Sequence, residues 1–212
     1  KEIISVKNLV KSFKSESGTQ TIINNLDLDI YESDFTIIMG SSGAGKSTLL
    51  YSLSGMDKPT SGNIIFNDKD ITKMNADELA IFRRKNCGFV FQQIYMLDKM
   101  SLLDNVLTAG LLINNDKKEV VARAKELFKK VNIKEETDKK TSSQVSGWEC
   151  QRAGIVRAAI NSPSVIFADE PTGALNSDNG TKVLYILTEF NNDGESIIMV
   201  THDKKVLWEA IE

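Results

Sequence analysis

The apolar stretch Phe35 to Met39 runs directly into Gly40-Ser41-Ser42-Gly43-Ala44-Gly45-Lys46-Ser47-Thr48. The join reads as a strand, a glycine-rich turn and the start of a helix, which is the geometry that wraps a backbone around phosphates. Glycines at 40, 43 and 45 are expected to take torsions that a side chain would obstruct, so that successive N–H groups converge on one polyphosphate. Lys46 adds a point charge for the β- and γ-phosphates, and the Ser47 hydroxyl, one residue on, is placed to ligate Mg²⁺. A chain built on this junction is expected to bind a nucleotide.

At 212 residues the chain can bury one core, or one core with a smaller lobe. A formal charge of −3 provides no basic field of the kind that holds DNA or RNA, so nucleic acid is not the expected partner. No apolar run approaches the roughly 20 residues that cross a bilayer, and the lysine-bearing N-terminus does not read as a signal peptide. The chain is therefore expected to be soluble and cytoplasmic. Cys87 and Cys150 lack any CxxC spacing and are expected to be reduced.

Apolar alternation over Ile3–Leu9 and at Leu26, Leu28 and Ile30 predicts two strands of an antiparallel lobe, separated by the polar segment Lys14–Thr21. A helix is predicted over Thr48–Ser54, a strand at Ile64–Phe66, and a short helix capped by Asn75 with Glu78 and running to Arg84. Gly88–Phe91 reads as a buried strand. From about Met100 to Ile160 the spacing is helical, with one apolar face including Leu102, Val106 and Gly110 to Ile113, and another including Val120, Leu127 and Phe128. Strand periodicity returns at Val165–Ala168 and Ile197–Thr201, with a helix over Ser177–Phe190 between them. An α/β core interrupted by a helical insertion is the economical description.

The strand Val165–Ala168 ends in Asp169-Glu170, at the strand end where ligands of parallel sheets bind. Neighbours on a strand point opposite ways, so Asp169 is expected in the Mg²⁺ shell and Glu170 on the attacking water.

Between the two halves lies Val145-Ser146-Gly147-Trp148-Glu149-Cys150-Gln151-Arg152, which resembles the signature sequence of ATP-binding-cassette (ABC) ATPases. Other landmarks of that family fall in order. Phe13 resembles the A-loop aromatic that stacks on adenine, Gln92 the Q-loop glutamine, Pro171–Ser177 the D-loop and His202 the switch histidine. The segments Phe91-Gln92-Gln93, Met56–Gly62 and Pro171–Leu175 further resemble the lipoprotein-release, macrolide-export and antimicrobial-peptide-resistance branch.

The resemblance implies a P-loop NTPase core with an N-terminal antiparallel β lobe and an inserted α-helical subdomain. Residues 1–95 and 161–212 would form the nucleotide-binding part and 96–160 the helical subdomain. It implies ATP hydrolysis with Mg²⁺ held by Ser47, Gln92 and Asp169. Glu170 would act on water, and Lys46, Gln92 and His202 would attend the phosphates. It also implies a head-to-tail homodimer in which Ser146, Gly147, Trp148 and Glu149 of one copy close over the nucleotide of the other. A membrane permease would hold the chain against the inner face of the membrane, its short helix received by an apolar patch at Ile94, Tyr95, Met96 and Leu97. A second reading is an ATP-gated regulatory subunit without transport. A nucleic-acid-maintenance ATPase would need a coiled-coil insertion or a basic surface, and the sequence has neither.

Two residues depart from the family pattern. Asn176 stands where the D-loop has Asp, a mild change; Trp148 stands where the signature has its second glycine, and its bulk predicts slow hydrolysis. Relatives of this kind also extend further beyond the switch histidine than the ten residues that follow His202 here.

Overall fold

Strands β1 (Glu2–Ser15) and β2 (Gly18–Tyr31) form one long hairpin in a computed structural model of the chain that describes residues 1–204 and 206. The end of the expected core segment, residues 205 and 207–212, lies outside the described residues. The polar stretch expected to separate the two strands is instead their paired tips, with Phe13 opposite Gln20 and Ser15 opposite Gly18. Apolar alternation marks only the half of a ribbon that covers a core; the rest is held by backbone pairing and stays exposed. The register slips around Asn8, whose φ of 49° lies in the left-handed region. Strands β4 (Ser61–Phe66) and β5 (Lys69–Asp70) complete an antiparallel sheet of order β2-β1-β4-β5.

The second sheet is parallel, with β3 (Phe35–Met39), β8 (Ser196–Thr201), β7 (Val165–Asp169) and β6 (Cys87–Phe91) in that order. Both of its faces are buried, and alternation sorts its side chains between two cores. Val165, Phe167, Ile198 and Val200 pack with the antiparallel sheet, α1 (Lys46–Leu53) and α2 (Ala76–Asn86). Ile166, Ala168, Ile197 and Met199 pack on the other side, with the helices that follow β6 and with α7 (Ser177–Asn192). The expected Asn75–Glu78 cap of α2 is a reciprocal capping box.

Between β6 and β7 the chain is helical: α3 (Leu102–Gly110), α4 (Lys117–Lys130), the one-turn α5 (Glu135–Asp138) and α6 (Gly147–Ala159). Gly110 allows α4 to approach closely, since a Cβ there would lie 2.4 Å from Val120 Cγ1. The predicted apolar face at Gly110–Ile113 is only partly right. Helix α3 stops at Gly110, and Leu111, Leu112 and Ile113 follow its end as exposed residues.

The register of the parallel sheet determines where the site lies. Met39 pairs with Thr201, Val200 with Asp169, and Asp169 with Phe91. The residues that leave the four strands, Gly40, His202, Glu170 and Gln92, are therefore brought to one edge.

Candidate active site

The glycine loop caps α1, with Gly45 at φ 88°. A Cβ on Gly45 would lie 2.5 Å from Ile22 Cγ2, so torsion and space both demand glycine there. Gly43 answers to torsion alone, at φ +80°. Gly40 corrects the expectation. It is not among the positive-φ glycines, and a Cβ on it would make ordinary contact with Ala44 Cβ at 3.4 Å.

Lys46 is buried, and its ammonium donates to the carbonyls of Gly40 at 2.8 Å and Ser41 at 2.7 Å, which holds the charge across the loop. Ser47 donates to Asp169 Oδ1 at 2.8 Å. Tyr51, one turn further along α1, donates to Asp169 Oδ2 at 2.5 Å. Burial, and then the adjoining Asp169 carboxylate, hold the Tyr51 phenol above the ordinary tyrosine range, so it is a hydrogen-bond donor at neutral pH.

Lys46 and Ser47 face a cavity of about 380 Å³, while Tyr51 and Asp169 line the neighbouring one of about 500 Å³. The loop residues Ser42, Gly43 and Gly45 to Thr48 line one side of the first, Gln92, Glu170 and His202 the other, and Phe13 overhangs it from β1. Phe13 is 45% exposed and is therefore not core; Lys11 Nζ sits 4.9 Å from its ring centroid. Gln92 is packed against the D-loop segment, since a Cβ on Gly173 would come within 2.9 Å of its side-chain amide.

Glu170 departs from the reasoning that singled it out. It lies past the end of β7 in the left-handed region, at φ 47°, so a backbone turn rather than strand alternation separates it from Asp169. Its N–H donates to Val200 O at 2.9 Å. Its Oε1 lies 3.0 Å from His202 Nδ1, and Oε2 accepts from the His202 N–H at 3.3 Å. The two residues thus form a pair, which the sequence did not suggest.

The donors available to a metal are a hydroxyl, an amide oxygen and a single carboxylate, and among the described residues no three His, Cys, Asp or Glu side chains converge. That is a hard-oxygen set suited to Mg²⁺, which takes few protein ligands and completes its shell with phosphate and water. Ser47 Oγ spends its proton on Asp169, leaving its lone pairs for a cation.

Ser146, Gly147, Trp148 and Glu149 do not join this cavity. They form the first turn of α6. Ser146 accepts from Glu149 N–H at 3.1 Å while Glu149 Oε2 accepts from Ser146 N–H at 2.8 Å. The second bond, above all, holds the Glu149 carboxyl below its ordinary range. Glu149, expected to contact nucleotide, is thus engaged in the capping box of its own helix. The Trp148 indole is half-buried against the helical core, with Arg152 Cζ 4.9 Å from the ring centroid. Asn176 caps α7 by accepting from Asn179 N–H at 2.9 Å, a role Asp fills equally well.

An apolar groove of about 310 Å³ lies on the far side of β6, but not where Ile94 to Leu97 were expected to form it. Only Tyr95 of that segment lines it, with Phe89, Phe91, Leu112 and Arg157 among the others. Ile94 and Met96 turn inward onto the helical core. Arg157 of α6 clamps this segment by donating to Ile94 O at 2.5 Å and Tyr95 O at 2.9 Å. Gln151, buried on α6, donates to Pro171 O at 2.8 Å and joins the signature helix to the turn after Glu170. Sequence reasoning missed these ties and Tyr51; the only available signal for Tyr51 was its spacing of four from Ser47 on a helix.

Among the described residues no helix is long and apolar enough to cross a membrane. A family model described as ABC transporter matches residues 23–173. The lipoprotein-releasing system ATP-binding protein LolD of Wigglesworthia glossinidia brevipalpis is 39% identical over 205 residues, covering 96% of this chain and 89% of that protein. The macrolide export ATP-binding/permease protein MacB of Campylobacter jejuni is 38% identical over 208 residues, covering 98% of this chain but only 32% of that protein. Among solved structures, the dimeric post-hydrolysis state of the ATP-binding cassette MJ0796 bound to ADP and Pi is similar with a TM-score of 0.87 at 35% identity, covering 96% of this chain and 89% of that one. The match over most of the length, on a cavity that gathers the loop, Gln92, Glu170 and His202, places this chain in the ABC transporter family, as an ATP-binding cassette.

Proposed function

We propose that this chain hydrolyses ATP as the power subunit of a LolD- or MacB-like system, driving export or extraction of a lipophilic or peptide substrate through a separate permease. The observation that carries the reading is the sheet register that brings Gly40, His202, Glu170 and Gln92 to one edge beside Lys46 and Ser47.

ATP enters with its adenine against Phe13 and its phosphates on the amides of residues 40–48, where Lys46 faces the β- and γ-phosphates. Ser47, Gln92 and Asp169 would hold Mg²⁺, which would supply positive charge against the triphosphate. Glu170 orients water and takes its proton as the water oxygen attacks the γ-phosphorus, and the bridging oxygen departs with ADP. His202, paired with Glu170, contacts the γ-phosphate. The signature residues Ser146 and Gly147 serve the cavity of a second copy, which supports a head-to-tail dimer of C₂ symmetry. Residues 96–160 act as the subdomain that carries the signature. The groove beside Tyr95, clamped by Arg157, receives a permease helix and holds the chain at the inner membrane face. Trp148 slows turnover by crowding the N-terminus of α6. Its half-buried position on Arg152, and the N–H that residue 148 keeps, hold the loss below the roughly hundredfold that removal of a positioned donor costs.

Glu170→Gln tests the reading. Turnover falls by orders of magnitude, ATP binding persists, and sedimentation at saturating ATP shows a dimer. Retained turnover removes Glu170 from the chemistry, and a variant that stays monomeric with ATP bound removes the sandwich.

A further inference from the structure

We propose that Tyr51 is a positioning residue for the metal shell, acting through Asp169. The inference rests on the reading of Asp169 as the carboxylate of that shell.

Ser47 and Tyr51 are four positions apart on α1 and so share a face. Their hydroxyls reach the two oxygens of one carboxylate, Ser47 to Oδ1 at 2.8 Å and Tyr51 to Oδ2 at 2.5 Å. A terminal carboxylate torsion is broad when free, and two donors on one rigid helix fix both its plane and its tilt. Oδ1 is thereby aimed at Ser47, and the Ser47 lone pairs are left facing the phosphate side. With the Tyr51 hydroxyl gone, Oδ2 has no other bond within the described contacts and the carboxylate turns more freely.

The ring of Tyr51 is independently held. It is half-buried and packs against the core that α1 shares with both sheets, while its free side lines a second cavity of about 500 Å³ with Phe91, Gln92, Tyr95, Asp169 and Glu170. Its position therefore does not depend on the hydroxyl, and Tyr51→Phe removes the donor with the packing kept. Groups that orient metal ligands from behind characteristically set metal affinity as well as activity.

The test uses Mn²⁺ as the probe, read by electron paramagnetic resonance at saturating ATP, alongside ATP binding in EDTA. In Tyr51→Phe the Mn²⁺ concentration at half-occupancy rises about tenfold or more, ATP affinity in EDTA is that of the parent, and the turnover lost at low Mg²⁺ is recovered at high Mg²⁺. Unchanged Mn²⁺ half-occupancy, even with a lowered melting temperature, overturns the proposal and leaves Tyr51 a packing residue. An equal loss of ATP binding in EDTA overturns it too, since the damage is then not to the metal shell. Asp169→Asn separates this failure from that of the underlying reading. If Asp169→Asn weakens Mn²⁺ and Tyr51→Phe does not, Tyr51 alone is wrong; if Asp169→Asn leaves Mn²⁺ binding intact, Asp169 is not in the shell and both fall.

Discussion

On the proposed reading, Phe13 divides one ligand into two recognition problems. The residue is 45% exposed, beyond the part of β1 from Ile3 to Leu9 whose apolar side chains are buried, and Lys11, itself paired with Asp57 at 2.9 Å, lies 4.9 Å from the ring centroid. A cation fixed near the ring restrains it and leaves the rest of its surface for a flat base. Stacking on an aromatic is worth about 1–3 kcal/mol per base, so Phe13→Ala is expected to weaken ATP by about fivefold to about a hundredfold while leaving inorganic tripolyphosphate, which has no base, unaffected. Competition titrations of the two ligands check this, and equal losses for both would remove adenine from the role of Phe13. The residue was legible in the sequence through its place in an ordered set of motifs. Tyr51 was not, because a tyrosine on a helix carries no mark of which carboxylate its hydroxyl will meet. The Glu170–His202 pair was hidden for a related reason. It depends on the register of two strands far apart in the chain and on a left-handed turn at a residue that is not glycine.

Helices and strands were legible where burial imposes a period and less so where backbone geometry alone decides. Residues of β7 and β8 are apolar on both faces and announce themselves; the tips of β1 and β2 are polar and do not, although both strands are 14 residues long. Helix α6 illustrates a local rule that also bears on function. Its Ser146–Glu149 capping box satisfies N–H groups at the same helix end that the proposed dimer presents to phosphate. Because the folded Glu149 carboxyl lies below its ordinary value of 4.5, its contribution is present above that pH and fades as pH falls through the lower folded value. A capping interaction of this kind contributes roughly 0.5–1 kcal/mol. Thermal unfolding of the parent and of Glu149→Ala is therefore expected to differ near pH 7 and to converge in acid, once the Glu149 carboxyl is protonated in the folded state as well. A gap that persists in acid would show that Glu149 stabilises α6 through packing rather than through its charge.

At the scale of the whole molecule, the chain presents a loop-lined cavity at one sheet edge and, separately, the N-terminus of α6, which does not line that cavity. The edge follows from sheet topology; the helix end follows from an insertion tied back by Gln151 to Pro171 and by Arg157 to the segment after Gln92. A shift in either attachment moves the signature relative to the cavity and the groove together, which is the mechanical requirement for coupling hydrolysis to a membrane partner. Trp148 lies on this insertion, in the first turn of α6. In the proposed dimer the glycine expected there by family pattern would let a phosphate approach the helix end closely, and the indole, packed on Arg152, would take part of that room. Both copies of a homodimer carry it, so no unobstructed site compensates. Replacing it also removes a half-buried aromatic from the helical core, so the substitution acts on stability and closure in opposite directions, and the two must be read separately. Trp148→Gly is expected to melt at a lower temperature, yet to turn over ATP severalfold faster and to dimerise at lower ATP concentration, with a gain short of the roughly hundredfold that a full phosphate donor represents. ATPase rates and sedimentation measured below the melting transition of both proteins check this. Equal rates and equal dimerisation would show that the signature works with tryptophan in it, the ring remaining folded against its own subdomain throughout the cycle.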